Sequence, residues 1–178
     1  MLKSTIKNKA ILLDRDWTIN QDLSYVYKLS DLKLLDGVKE GLLGLKNLWY
    51  KLIIITNQSW IWRWYFTMDD CVKFNTEIEK RIWFSFDGIY ICPHTPDDHC
   101  TCRKPGTGLL EKAIEDFDLD ISQCYFVGDK ESDIQAGISA GCKTVWIENN
   151  LHPCTVKSDF IVTSLKQFSE ILSSLPIN

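Results

Sequence analysis

Short apolar runs alternate with segments of helical periodicity along most of the chain. Continuous runs of Ile, Leu and Val predict strands that are buried on both faces, and the intervening periodic segments predict helices that cover a parallel sheet. We expect strands over residues 9–14, 51–56, 88–92, 123–128, 143–147 and 159–162. We expect helices over residues 37–48, 68–82, 106–117, 132–140 and 165–172, with Ser164 as the N-cap of the last one. This alternation predicts an α/β fold with a doubly wound, Rossmann-like parallel sheet, as a single domain over residues 1–178.

Polar residues follow four of these predicted strands. Asp14 and Asp16 follow the first strand, Thr56 ends the second, Cys92 ends the third and Asp129 follows the fourth. In an open α/β sheet, ligands bind in the crevice beyond the carboxyl ends of the strands. The sequence therefore predicts a functional site at this edge of the sheet.

The Asp14-x-Asp16 pair has the residue types that phosphoryl transfer needs. One carboxylate can attack phosphorus while the other protonates the leaving oxygen and later deprotonates water. Like charges so close together need a cation, and Mg²⁺ is a suitable one, with Asp129 and Asp133 as further carboxylates. On its own, however, an Asp-x-Asp pair is more typical of a solvated turn than of a catalytic site.

Three further groups favour an anionic substrate. The Thr56 hydroxyl is placed to hold a phosphoryl oxygen, although alone it would equally cap a helix. Arg103 and Lys104 precede a predicted helix N-terminus, where cationic charge favours an anion, although such a pair is also common on solvated surfaces. Together, a nucleophile, a hydroxyl, a cation and a metal carboxylate form the set that phosphoryl transfer requires.

A Cys92-x-His94-x₅-Cys100-x-Cys102 cluster lies within residues 92–105. Three thiolates and one imidazole make a closed tetrahedral zinc site, which predicts a structural role. We favour His94 over His99 as the nitrogen ligand, and His152 is expected to be an ordinary surface residue. The alternative is a reduced loop with incidental cysteines. We expect packing roles for the remaining cysteines, which are Cys71, Cys124, Cys142 and Cys154.

Composition narrows the classes of partner. The formal net charge is −4 and no run of Lys or Arg is present, which argues against nucleic acid or an anionic membrane surface as the main partner. The sequence has neither an 18-residue apolar stretch nor the apolar segment of a signal peptide, so we expect a cytoplasmic protein, monomeric, with reduced thiols.

The chain resembles the haloacid dehalogenase (HAD) superfamily over nearly its whole length. The resemblance lies in Asp-Arg-Asp-x-Thr-Ile-Asn, Ile-Ile-Ile-Thr-Asn-Gln-Ser, Arg-Lys-Pro and Val-Gly-Asp-Lys-Glu-Ser-Asp, which occur in family order. Within the superfamily it is most similar to the phosphatases of heptose bisphosphate and histidinol phosphate, which carry a zinc loop and no large cap domain.

The resemblance implies a role for each residue at these motifs. Asp14 would be the nucleophile and a magnesium ligand. Asp16 would be the proton donor and a ligand through its backbone carbonyl, with Asp129 as the remaining magnesium carboxylate. Thr56 and Lys104 would stabilise the phosphoryl group. The implied substrate-binding residues are Asp22, Leu23, Ser24, Tyr25, Asn57, Gln58, Ser59, Arg103 and Lys130. Asp133 would orient either a metal-bound water or Lys104.

The implied activity is magnesium-dependent hydrolysis of the C7 phosphate of D-glycero-D-manno-heptose 1,7-bisphosphate through an aspartyl-phosphate, in heptose supply for bacterial lipopolysaccharide. Histidinol-phosphate phosphatase, a phosphotransferase and a non-catalytic sugar-phosphate binding protein are alternatives. The last is raised by tryptophans that stand where the resembled family has glycine. They are Trp17, Trp49, Trp60, Trp62 and Trp64, and Trp83 stands where a C-cap glycine would be natural. Explanations for them include an altered pocket, a loss of activity and a protein whose residues differ from the sequence.

Overall fold

The computed structural model describes residues 7–22, 28–59, 61, 67–149 and 151–176. Six strands form a sheet in which every neighbouring pair is parallel. The strands are β1 (Ala10–Leu13), β2 (Lys51–Asn57), β3 (Gly88–Cys92), β4 (Tyr125–Gly128), β5 (Lys143–Ile147) and β6 (Phe160–Val162). Their order across the sheet is β3-β2-β1-β4-β5-β6. This is the order of a doubly wound Rossmann sheet, so the predicted fold class is confirmed.

The described part of the chain has five α-helices, of which the first four connect strands and the fifth follows β6. They are α1 (Val38–Asn47), α2 (Met68–Ile82), α3 (Gly108–Asp116), α4 (Glu131–Ala140) and α5 (Leu165–Ser174). Short 3₁₀ turns cover Leu29–Asp31, Pro96–Asp98 and Ile121–Gln123. The predicted helices and strands are all present, with ends that differ by a few residues. As predicted, Ser164 caps α5, since its hydroxyl accepts a hydrogen bond from the Gln167 amide at 3.2 Å.

The largest differences at element ends have local causes. The fourth strand was expected from Gln123 but begins at Tyr125, because Asp120 accepts hydrogen bonds from Ser122 and Gln123 and holds a 3₁₀ turn there. The third helix was expected from Gly106 but begins at Gly108. The Gly106 amide donates instead to the Arg103 carbonyl at 2.7 Å, in a turn that precedes the helix.

Two hydrophobic cores lie on opposite faces of the sheet, because alternate strand residues point to opposite sides. One core joins Ile11 and Leu13 of β1 to apolar residues of α1, α2 and α5. The other joins Ala10 and Leu12 to apolar residues of α3 and α4. Strands buried on both faces account for the unbroken apolar runs in the sequence. No helix among the described residues combines the length and the apolar character that crossing a bilayer requires.

The strand register brings the predicted polar residues to one edge. Leu13 pairs with Val127 across β1 and β4, and the Asp14 amide donates to the Val127 carbonyl at 2.9 Å. Strand order reverses between β1 and β4, which is where doubly wound sheets bind ligands. The carboxyl ends of these two strands therefore define the centre of the candidate site.

Candidate active site

Asp14 leaves the end of β1 as a buried carboxylate, 4% exposed. Its Oδ1 lies 2.7 Å from the Nζ of Lys104. Burial raises the pKa of Asp14, and the charge of Asp133 adds to this rise, whereas Lys104 opposes it. The carboxylate that is predicted to be the nucleophile is thus buried and paired with one cation.

Asp16 has different partners from Asp14, although only one residue separates them. The Arg15 guanidinium donates to both Asp16 oxygens at 3.0 Å. Gln58 Nε2 donates to Oδ2 at 2.7 Å and Asn20 Nδ2 donates to Oδ1 at 3.0 Å. Burial acts to raise the pKa of Asp16, but Arg15 and these hydrogen bonds outweigh it and hold the pKa below its ordinary value. Asp16 is therefore ionised in this arrangement, ready to accept a proton.

Lys104 is the buried cation of the site, 4% exposed. Its ammonium lies 2.7 Å from both Asp14 Oδ1 and Asp133 Oδ1, and it donates to the Ile55 carbonyl at 2.8 Å. Burial acts to lower the pKa of Lys104, but Asp133 and Asp14 outweigh it and raise the pKa. Lys104 therefore stays charged and joins the ends of β1 and β2 to α4.

Side chains at the end of β2 fix this cation and the Asp16 carboxylate. Asn57 binds the backbone of Lys104 twice: Nδ2 donates to the carbonyl at 3.2 Å, and Oδ1 accepts from the amide at 3.1 Å. Gln58 Nε2 bridges Asp16 to the Thr56 hydroxyl, which is 2.9 Å away. Thr56 is 1% exposed. These contacts position the residues that were predicted to act on phosphate.

A cluster of buried carboxylates lies beside Lys104. Oxygens of Asp14, Asp129 and Asp133 lie within 4.8 Å of one another. Asp129 is fully buried, and its Oδ1 has no hydrogen-bond partner. Burial and then the charge of Asp14 raise the pKa of Asp129 to about 8. An orphaned carboxylate oxygen amid excess negative charge fits the all-oxygen ligand set that Mg²⁺ prefers.

Glycine is needed where Asp133 reaches back to β4. A Cβ at Gly128 would clash with the Cβ of Asp133, so any side chain there would displace the carboxylate. Asp133 Oδ2 accepts a hydrogen bond from the Lys130 amide at 3.0 Å at the start of α4. This bond orients its other oxygen towards Lys104.

The cysteine-rich loop after β3 brings three thiols and one imidazole together. The sulfur atoms of Cys92, Cys100 and Cys102 are 3.3–3.7 Å apart, and His94 Nδ1 lies 3.2 Å from the Cys102 sulfur. A tetrahedron with Zn–S bonds of about 2.3 Å has edges of roughly 3.8 Å. Burial raises the pKa of Cys92 to about 12, so its thiol needs a nearby cation to ionise. His99 is exposed and outside the cluster. The donor set fits zinc.

Comparisons with known proteins agree with this geometry. A family model described as HAD-hydrolase-like matches residues 101–168. A Haemophilus influenzae protein named D-glycero-beta-D-manno-heptose-1,7-bisphosphate 7-phosphatase is 36% identical, over 94% of this chain and 98% of its own. A Helicobacter pylori protein of the same name is 41% identical over 76% of this chain and 81% of its own. The chain belongs to this family of HAD-like phosphatases.

A solved structure supports the same assignment. The D,D-heptose 1,7-bisphosphate phosphatase from B. bronchiseptica, complexed with magnesium and phosphate, superposes with a TM-score of 0.84 at 26% identity. The match covers 93% of this chain and 98% of that one. As a member of this family the protein is a phosphoric monoester hydrolase with the HAD fold.

The structure describes four further residues that were expected to bind substrate. Ser59 is half-buried after Gln58, and Asp22 is half-buried. Arg103 donates to the His94 carbonyl at 3.1 Å, a contact within the cysteine-rich loop. Burial acts to lower the pKa of Lys130, but Asp14 and Asp129 outweigh it and raise the pKa. The expected residues Leu23, Ser24 and Tyr25 lie outside the described residues, as do Trp60, Trp62 and Trp64.

Sequence reasoning was wrong about His152 and missed Asn149 and Arg15. His152 Nδ1 lies 2.6 Å from Asp129 Oδ2, and Asn149 Nδ2 lies 3.3 Å from the same oxygen. Both residues come from the segment after β5, so they hold one Asp129 oxygen and leave the other for a ligand. Arg15 is buried, 2% exposed, with its guanidinium 4.9 Å from the Phe74 ring. An arginine between two motif carboxylates was the available signal for its role.

Proposed function

We propose that this protein hydrolyses the C7 phosphate of D-glycero-D-manno-heptose 1,7-bisphosphate with Mg²⁺ as its cofactor. The observation that carries the proposal is the 36% identity to a protein named for this reaction, in an alignment that covers 98% of that relative. The buried Asp14–Lys104–Asp133 arrangement supplies the charges that the reaction needs. Relatives carry names with either anomer, β in H. influenzae and α in Campylobacter jejuni, so the anomer is a matter for assay.

In the first step, a carboxylate oxygen of Asp14 bonds to phosphorus while the bond from phosphorus to the C7 oxygen breaks. Asp16 takes up a proton when the negative charge of the substrate phosphate comes close to it, and it gives that proton to the leaving oxygen. Lys104 and Thr56 hold the phosphoryl oxygens as charge moves onto them. The products of this step are the free C7 hydroxyl and an acyl phosphate on Asp14.

In the second step, ionised Asp16 takes a proton from water as the water oxygen bonds to phosphorus. The bond between phosphorus and Asp14 breaks, which frees the carboxylate and releases inorganic phosphate. Arg15, Asn20 and Gln58 favour the ionised form of Asp16 that this step requires. Mg²⁺, held by Asp14, Asp129 and the backbone carbonyl of Asp16, would neutralise phosphoryl charge when bound.

The cysteine-rich loop is proposed to bind structural zinc through Cys92, His94, Cys100 and Cys102. Zinc would order the loop and thereby place Arg103 and Lys104, which follow the last ligand directly. Arg103 is proposed to recognise the substrate, and Lys130, Ser59 and Asp22 to line the sugar pocket. The protein is proposed to act as a cytoplasmic monomer in heptose supply for lipopolysaccharide.

The test is phosphate release from heptose 1,7-bisphosphate and from histidinol phosphate, each with and without Mg²⁺, with the Asp14→Asn variant beside the parent. We expect magnesium-dependent release, a preference for the heptose substrate and loss of turnover in Asp14→Asn. The exposed Asp31→Asn variant is the matched control, and it should keep parental turnover. A preference for histidinol phosphate would overturn the substrate assignment, and full activity of Asp14→Asn would exclude Asp14 as nucleophile.

A further inference from the structure

Tryptophan occupies the left-handed region of backbone conformation at three positions. The φ angles are 58° at Trp17, 64° at Trp49 and 71° at Trp83. Trp146, in the middle of β5, is the one other tryptophan in the described part of the chain and has an ordinary backbone. Only a few per cent of non-glycine residues have a positive φ. The chance that three of four tryptophans would have one at random is therefore on the order of one in ten thousand.

Trp49 stands in a Schellman motif at the end of α1. Its amide donates to the Lys46 carbonyl at 2.9 Å, and the Tyr50 amide donates to the Leu45 carbonyl at 3.4 Å. This pattern places Trp49 at the C′ position, which is usually glycine because a Cβ is unfavourable at positive φ. The indole gains little burial in return, since Trp49 is 88% exposed.

Gly141 occupies the same position at the end of α4 in this chain. Its amide donates to the Ile138 carbonyl at 3.0 Å, and the Cys142 amide donates to the Gly137 carbonyl at 2.9 Å. Its φ is 86°. The two motifs share one hydrogen-bond pattern and differ in the residue at C′, so Gly141 is an internal reference for Trp49.

Trp83 ends α2 in the related αL motif. Its amide donates to the Glu79 carbonyl at 2.8 Å, and the residue is 81% exposed. Trp is a residue that is highly buried on average. Lys39 Nζ lies 3.0 Å from the centroid of the Trp83 ring. This cation–π contact is weak because it is at a solvated surface.

Trp17 lies in the tight turn that follows the catalytic pair. Its amide donates to the Asn20 carbonyl at 2.7 Å, and the Ile19 amide donates to the Arg15 carbonyl at 2.7 Å. This turn brings the Asn20 amide group back onto Asp16. The left-handed conformation at position 17 is thus a requirement of the site geometry and is independent of the side chain placed there.

A shared aromatic surface does not explain the three residues. Trp17 follows β1, whereas Trp49 precedes β2, the parallel neighbour of β1. The two residues therefore lie at opposite ends of these strands. What the three positions share is the backbone conformation. We propose that the protein, as its own cell makes it, carries glycine at positions 17, 49 and 83, because the codon behind these tryptophans is read there as glycine.

The direct test is tandem mass spectrometry of peptides from the protein purified from its source cells. We expect glycine at positions 17, 49 and 83 and tryptophan at Trp146, whose strand position suits an aromatic residue. The gene should carry one shared codon at the three positions and a different one at Trp146. Tryptophan in the native peptides at these three positions would overturn the proposal, and so would a mixture of codons among them.

A second test uses recombinant variants and does not depend on catalysis. Trp49→Gly and Trp83→Gly are each expected to raise the melting temperature by about 2–8 °C, since each removes a left-handed non-glycine residue. Gly141→Trp is the matched reverse change, and we expect it to lower the melting temperature by a similar amount. Unchanged or lower melting temperatures for both Trp→Gly variants would contradict the conformational argument.

The activity measurement alone rests on the proposed function. Trp17→Gly is expected to raise kcat/KM for phosphate release at least tenfold, whereas Trp49→Gly, at the opposite end of the strands from the carboxylates, should leave it unchanged. An equal or lower kcat/KM in Trp17→Gly would overturn the inference at that position. If only the proposed substrate is wrong, the result is different. No variant then releases phosphate, while the peptides still show glycine and the Trp→Gly variants still melt at higher temperatures.

Discussion

Asp129→Asn should stabilise the metal-free fold at alkaline pH while it removes a proposed magnesium ligand. Asp129 is fully buried, and burial with the charge of Asp14 raises its pKa to about 8. Asparagine keeps the size and one acceptor oxygen but removes the titrating charge. The structure therefore predicts opposite effects of one substitution on stability and on magnesium binding.

The sign of the pH dependence follows from proton binding. In the unfolded chain the Asp129 carboxyl has a pKa near 3.8, so between pH 4 and 8 the metal-free fold holds a proton that the unfolded chain has released. Parental stability therefore falls as the pH rises through this window. At about 1.4 kcal/mol per pH unit, the change from pH 5 to pH 8 is at most about 4 kcal/mol. Because the charge of Asp14 also acts on Asp129, so that the two carboxyls bind protons together, we expect about 2–4 kcal/mol.

The assay is urea unfolding in the presence of a chelator at pH 5 and pH 8, for the parent and for Asp129→Asn. The free energy of unfolding of the parent, relative to the variant, should fall by the stated amount between the two pH values. Added Mg²⁺ at 100 times its Kd should then stabilise the parent by about 2.7 kcal/mol and the variant far less. The control is Asp31→Asn, a change at an exposed carboxylate, which should follow the parent at both pH values. A parent-to-variant difference that does not change with pH would refute the reasoning.

Four further substitutions separate the parts of the site. Lys104→Met leaves the buried carboxylates of Asp14 and Asp133 without their cation. It should lower kcat by about 10²–10³ in steady-state kinetics, and the free energy of unfolding by about 3–5 kcal/mol in urea unfolding. Arg15→Met should raise the pKa of Asp16, which must be protonated in the first step, so the alkaline limb of the kcat/KM–pH profile should move to higher pH; an unmoved limb would contradict the assignment of Asp16 as that acid. Cys102→Ser should abolish bound zinc, measured by elemental analysis, and lower the melting temperature. His152→Ala should weaken Mg²⁺ binding by about 10–100-fold in a magnesium titration, with wild-type-like folding as the control.

The fold was largely predictable because its signal is local and periodic. Apolar runs that are buried on both faces, such as residues 51–56, can only be central strands of a covered sheet, and Ser164 marks a helix start by its own chemistry. The Asp14, Thr56, Lys104 and Asp129 set was predictable for a related reason. The carboxyl ends of parallel strands lie on the same side of a sheet, so residues that follow neighbouring strands come close to one another there.

The tryptophans at glycine-like positions were also visible in the sequence, since the resemblance marked them. Their backbone conformation was not visible in the sequence, because a φ angle depends on the hydrogen bonds that close each turn. For Trp49 these bonds are the Schellman pair at the end of α1.

Only the tertiary structure decided which groups pair. The strand order β3-β2-β1-β4-β5-β6 places β1 beside β4, and this brings Lys104 between Asp14 and Asp133 from three separate segments. His152 follows a strand far along the chain, and no local pattern marks it as the neighbour of Asp129. Sequence determines the residues and the local conformations that they favour. Contacts between distant segments depend on how the whole sheet and its helices pack, because many chain positions could in principle supply each partner.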